Sequence, residues 1–114
     1  MPILKIDHQP TLEEIELLTQ EYPQYIKLSV DLKQQIIYGG SRLHYECEQM
    51  LIQNHNSQNE DIWSGGINLI TQKIEYTAVA NIKPSQDNPS LEILNPENRK
   101  KFKEIVNKYF PKYD

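Results

Sequence analysis

Residues 25–32 read Tyr-Ile-Lys-Leu-Ser-Val-Asp-Leu. In an extended chain successive side chains point to opposite faces, so Ile26, Leu28, Val30 and Leu32 share one side and Lys27, Ser29 and Asp31 the other. A clean period of two predicts a half-buried strand. Lys33-Gln34 reads as the turn that follows, and Gln35 to Tyr38 as the returning strand. Neither turn residue favours the tight primed turns of two-residue hairpins, so the pattern leaves the register of this pair open.

Working outward towards the N-terminus, Thr11 and Glu14 have the spacing of a capping box, in which hydroxyl and carboxylate each satisfy a free amide. They open a helix expected to run to about Tyr22, with Leu12, Ile15, Leu18 and Tyr22 buried, and Pro23 ends it. Before it, Ile3 to Ile6 reads as a short strand. Towards the C-terminus, Gly39-Gly40 lets the backbone swing and Ser41 can cap a second helix ending near His55. Leu43, Cys47, Met50, Leu51 and Asn54 fall on one face of that helix. Ile62-Trp63 begins a strand and Ile67 to Ile70 resumes it. Between them, Ser64-Gly65-Gly66 suggests a bulge or the close approach of another group.

Thr71-Gln72-Lys73 turns the chain into a long strand expected from Ile74 to Lys83. A polar loop, residues 84–90, follows. Asn95 and Pro96 then form a favoured start for a last helix with Phe102, Ile105, Val106 and Tyr109 as its apolar stripe. The sum is an α+β fold in a single domain, residues 1–114. Its order is β-α-β-β-α-β-β-α, with a five-stranded, mostly antiparallel sheet and helices packed on one face.

The 114 residues carry a formal net charge of −4 and one cysteine, Cys47. An intrachain disulfide is therefore impossible, which suits a reducing, cytoplasmic setting. Met1-Pro2 leads into a mixed strand rather than a basic and then apolar leader, and no apolar run has the roughly 18–20 residues of a membrane span. A mildly acidic chain is a poor general nucleic-acid binder, because such affinity rests on many phosphate contacts. Arg99, Lys100, Lys101, Lys103 and Lys108 do give the last helix a basic face, most simply a solvated one. The aromatic tail from Tyr109 to Tyr113 suits docking on a second copy of the chain. No phosphate loop, dinucleotide fingerprint, nucleophile elbow or zinc-finger spacing is present, and no cofactor is implied.

Two groups of residues invite chemistry. His44 and Glu48 are four apart on a helix and hence on one face, a spacing that suits an acid–base pair; two ligands do not make a metal site. The plainer reading is a His–Glu pair at the edge of a buried face. Gln58, Trp63, Asn68, Asn81, Ser85, Gln86 and Asn88 gather neutral donors and acceptors, with an aromatic, around the polar loop. They suit a polar small molecule or a protein main chain better than proton transfer, since none titrates near neutrality. The plainer reading is that they satisfy the loop's own backbone, with Trp63 as core. Cys47, flanked by Glu46 and Glu48 on the apolar stripe, reads as core rather than nucleophile.

Three runs also carry a resemblance: Gly39-Gly40-x-x-Leu43-His44-x-x-x-Glu48; Ser57-Gln58 with Trp63 and Ile67-Asn68; and Asn81-Ile82-Lys83-Pro84-Ser85-Gln86-x-Asn88-x-Ser90. Together they resemble a small prokaryotic family, cyanobacterial in type, known as a domain of unknown function. The resemblance spans most of the chain and implies no activity. Two departures stand out: Ser64-Gly65-Gly66 separates Trp63 from the Ile-Asn pair, and Pro89 stands where the pattern has arginine. The second argues against an anion site there. The sequence thus points to a small cytoplasmic binding module presenting the 84–90 loop. The alternative is a small enzyme using His44 and Glu48 on a polar or nucleotide-like substrate.

Overall fold

The computed structural model describes residues 3–114, so the reading of Met1-Pro2 lies outside the described residues. The elements are β1 (Leu4–Ile6), α1 (Leu12–Leu18), β2 (Tyr25–Asp31), β3 (Ile36–Gly39), α2 (His44–His55), β4 (Ile62–Asn68), β5 (Lys73–Glu75) and α3 (Pro96–Asn107). This is the expected order. The five strands form one antiparallel sheet, β1-β3-β2-β4-β5, with the alternating segment β2 at its centre.

Register fixes the two faces. Val30 lies opposite Ile37 and Trp63; the next row pairs Ser29 with Tyr38 and Ser64. The first set, with Ile26, Leu28 and Ile67, is buried beneath Leu18 of α1 and Phe102, Ile105 and Val106 of α3. On the opposite face a smaller cluster joins Tyr38 and Ile62 to Cys47 and Leu51 of α2. The expectation of helices on one face therefore holds for α1 and α3 and is corrected for α2. The polar half of the β2 alternation is covered too: Ser29 and Asp31 are 0% and 1% exposed. Ser29 Oγ meets Ser64 Oγ at 2.7 Å, which satisfies both hydroxyls under the helix.

The two hairpins are built alike. Asp31 pairs with Ile36 and Asn68 with Lys73, leaving four-residue loops. In each, the Asx oxygen accepts from two loop amides: Asp31 Oδ1 from Lys33 and Gln34, Asn68 Oδ1 from Ile70 and Thr71. Each loop ends on a left-handed glutamine, Gln35 or Gln72, both at φ 61°. The β2–β3 turn is thus Leu32 to Gln35, two residues longer than Lys33-Gln34.

Other boundaries shift for local reasons. The Thr11–Glu14 capping box forms, but α1 stops at Leu18, where the Thr19 hydroxyl donates to the Ile15 carbonyl at 2.7 Å; Leu12 is 86% exposed rather than buried. Ser41 does not cap α2; its hydroxyl donates to the Leu43 carbonyl, and the Glu46 carboxylate accepts from the Leu43 amide instead. Gly65 and Gly66 do not interrupt β4, which pairs with β2 without a break from Ile62 to Asn68. Close approach explains them: a Cβ on Gly65 would overlap the Glu75 carbonyl, and one on Gly66 the Tyr25 hydroxyl. The strand expected over residues 74–83 ends at Glu75. Tyr76 and Ala78 pair instead with Ile93 and Leu91, and the chain then coils through short 3₁₀ turns at Val79–Asn81 and Pro84–Gln86. The Asn95 side chain caps α3 as expected, accepting from the Glu97 and Asn98 amides. The aromatic tail folds back on its own core, with Phe110 3% exposed.

Candidate functional site

The polar loop is built around two buried asparagines. A primary amide has a carbonyl-type acceptor and two donors, so it can stand in for a peptide group. Asn81 does this along the free edge of β4. Its Oδ1 accepts from Ser64 N at 2.9 Å and its Nδ2 donates to Ser64 O at 2.8 Å, with Tyr76 O and Leu91 O at 3.2 and 3.1 Å. Asn88 ties the loop in the same way: Nδ2 donates to the carbonyls of Asn81, Ser90 and Glu92, and Oδ1 accepts from the Leu94 amide. Neither has surface to offer a ligand, at 0% and 1% exposed, and Trp63 is core at 2%. Asn68 builds its hairpin and reaches Glu75.

Ser85, Gln86 and Gln58 are exposed. Gln86 donates to the Glu60 carbonyl and Gln58 to that of Asn56. Gln86 and Trp63 line a polar depression of about 380 Å³ together with Glu60, Asp61, Asn98 and Lys101. His44 and Glu48 do not reach it. The seven polar-loop candidates and the two titratable ones therefore occupy separate places.

His44 and Glu48 do share a cleft, of about 330 Å³, between the first turns of α2, β2 and the Val79–Asn81 turn. Lys27, Leu43, Tyr45, Val79 and Ala80 complete its lining. His44 Nε2 lies 2.7 Å from the Gly65 carbonyl. A carbonyl only accepts, so Nε2 carries the proton and Nδ1 of the neutral ring keeps its lone pair. Burial holds the His44 pKa below the ordinary imidazole value; the Gly65 bond opposes this and the Lys27 charge adds to it.

Glu48 moves the other way. Burial raises its pKa, partly offset by the charge of Lys83 and the Ser64 hydroxyl. Its Oε2 is a buried oxygen with no hydrogen-bond partner. Lys83, 6% exposed, lies near the Trp63 ring and donates to the backbone and side-chain oxygens of Asn59; burial lowers its pKa, with Glu48 opposing. Cys47, one residue before Glu48, has its thiol pushed up to about 11, chiefly by burial. It is a core group and not a nucleophile.

Lys27 is the cleft residue that sequence reasoning passed over, since its place in the β2 alternation reads as solvent-facing. Its ammonium sits 4.9 Å from the centre of the Tyr22 ring. Among the described residues no three of His, Cys, Asp and Glu gather as metal ligands would, and no helix is long and apolar enough to cross a membrane. A family model described as "Protein of unknown function (DUF5674)" matches residues 4–109. No curated protein and no solved structure matches the chain.

Proposed function

The chain belongs to the DUF5674 family, and for this member we propose a role as a small binding module whose ligand occupies the Lys27–His44–Glu48 cleft. The 84–90 loop then serves as a brace. Asn88 holds the Asn81 carbonyl, and Asn81 anchors the turn that carries Val79 and Ala80, one wall of the cleft. The observation that carries the reading is the cleft lining, in which Lys27, His44 and Glu48 come together and neither Lys27 nor Glu48 is held in an ion pair among the described residues. A carboxylate that lines a cleft without an ion-pair partner is a ready acceptor for an incoming donor. Ligand sites combine apolar walls with a few such polar groups.

The test is thermal unfolding against a broad panel of small polar molecules, with native mass spectrometry of the gently purified protein. Binding that raises the melting temperature and is lost when Ala80→Trp fills the cleft supports the reading. Stabilisation that survives Ala80→Trp, or none across the panel and no retained mass, overturns it.

A second reading, catalysis by His44 and Glu48, draws on their opposite pKa directions, the imidazole held low and the carboxyl held high in one cleft. No hydrogen bond joins the two. Binding is preferred because the ring is oriented by the Gly65 carbonyl and not by Glu48.

A further inference from the structure

Resting on the reading of this cleft as a ligand site, we infer that its ligand is a free α-amino acid with an apolar side chain, its carboxylate at the Lys27 end and its ammonium at Glu48.

The cleft lining holds two opposite charges that do not pair with each other; Glu48 feels the Lys83 charge, but no ion-pair contact joins them. Neither Lys27 nor Glu48 takes part in an ion pair among the described residues. Lys27 lies on β2 beside the start of α2, near enough for its charge to act on His44. Glu48 lies one turn further along α2, about 6 Å by helical rise. The lining therefore holds one cationic and one anionic residue, as a dipolar ligand needs.

The backbone strengthens the cationic end. α2 begins at His44 and runs for 12 residues. The first turn of α2 carries the positive end of the helix dipole, which favours negative charge there; Glu46 already takes the Leu43 amide, so the dipole adds to Lys27 without itself being the site. At the other end, the Glu48 carboxylate lines the cleft with the Lys83 charge and the Ser64 hydroxyl on its inner side, and the neutral His44 ring offers the Nδ1 lone pair. An ammonium has three N–H donors for these acceptors.

The walls select the rest of the ligand. Leu43, Tyr45 and Val79 are 45%, 63% and 75% exposed, three large side chains in the same lining as Lys27 and Glu48. Covering such surface is favourable by roughly 25 cal/mol per Å². The volume, about 330 Å³, is at the small end of ligand pockets. Other classes fit worse. A simple amine leaves Lys27 unmatched, and a phosphate or nucleotide meets Glu48 with like charge. A neutral sugar would desolvate both charges without pairing either.

The test is calorimetric titration and thermal shift with leucine, methionine and phenylalanine. The comparators are N-acetyl-leucine (ammonium removed), leucinamide (carboxylate removed), inorganic phosphate, a nucleoside monophosphate and glucose. The expected result is one site per chain for the free amino acids and at least tenfold weaker binding of both blocked forms. Lys27→Met should weaken leucine while leaving leucinamide unchanged. Glu48→Gln should weaken leucine while leaving N-acetyl-leucine unchanged. Equal binding of leucine and its blocked forms, or cleft binding of phosphate, nucleotide or sugar without leucine, overturns the zwitterion and leaves the ligand site standing. If no compound of any class binds, both fall.

Discussion

Replacing Asn81 by alanine removes a side chain that does the work of a strand. Four hydrogen bonds go with it, but their loss is not equal. The Tyr76 carbonyl still accepts from Ile93 N and the Leu91 carbonyl still accepts from Ala78 N. Ser64 has no such alternative. Its N–H and C=O point away from β2 at a residue 0% exposed, and Asn81 is their partner. A buried main-chain group left unsatisfied costs about 1–3 kcal/mol, so two put the loss at roughly 2–6 kcal/mol. Against a typical stability of about 5–15 kcal/mol this is a large fraction. At about 4 °C per kcal/mol it corresponds to a fall of roughly 8–24 °C in Tm. Asn81→Asp should be at least as damaging, since a carboxylate keeps the Ser64 amide but faces three carbonyl oxygens. Urea and thermal unfolding followed by circular dichroism give both values. Ser85→Ala, on the exposed part of the same loop, serves as control and should stay within about 0.5 kcal/mol. An Asn81→Ala loss below about 1 kcal/mol, or an Asn81→Asp protein as stable as wild type, would refute the view that this side chain completes the sheet edge.

Glu48→Gln should stabilise the protein at neutral pH and not at pH 4. The folded pKa is raised above 4.5, so in the window just above 4.5 the native state binds more protons than the unfolded chain, and Glu48 lowers stability as pH rises. Urea midpoints of the two proteins at pH 4, 5.5 and 7 should diverge with pH; parallel curves would contradict the buried, unmatched carboxylate. Cys47 should resist a chromogenic thiol reagent at pH 8 in the folded state and react promptly in urea, because it is 0% exposed with its pKa pushed to about 11. Asn95→Ala should cost about 1 kcal/mol through the lost cap of α3, seen as a shifted midpoint with an unchanged urea slope.

The β2 segment shows what the sequence reveals and where it stops. Its period of two named the residues that share a face, and Ile26, Leu28 and Val30 are all fully buried. It did not show that the other face is also covered, because Lys27, Ser29 and Asp31 look as if they belong in water. Ser29 escapes the usual penalty by meeting Ser64 across the strand, and Asp31 by capping its own hairpin. Polarity alone cannot separate a solvated position from a satisfied buried one. The hairpins carried a readable pattern, an Asx residue followed four positions later by Gln. It was obscured because glutamine is not an expected left-handed residue.

The same limit governs the candidate site. An asparagine that replaces a peptide group and one that grips a ligand present identical donors and acceptors, so the density of polar residues over 81–90 was legible and its use was not. Burial separates the two uses, and it assigns Asn81 and Asn88 to the frame. The spacing of His44 and Glu48 was legible because a helix makes it local. Lys27 was not, because it reaches the cleft from β2, across the sheet packing that only the fold supplies. The frame and the cleft nevertheless form one construction. Through Ser64, Asn81 ties the wall carrying Val79 and Ala80 to the strand that holds Gly65, and Gly65 fixes the tautomer of His44. The polar loop therefore governs the cleft by position, without contributing a side chain to its lining.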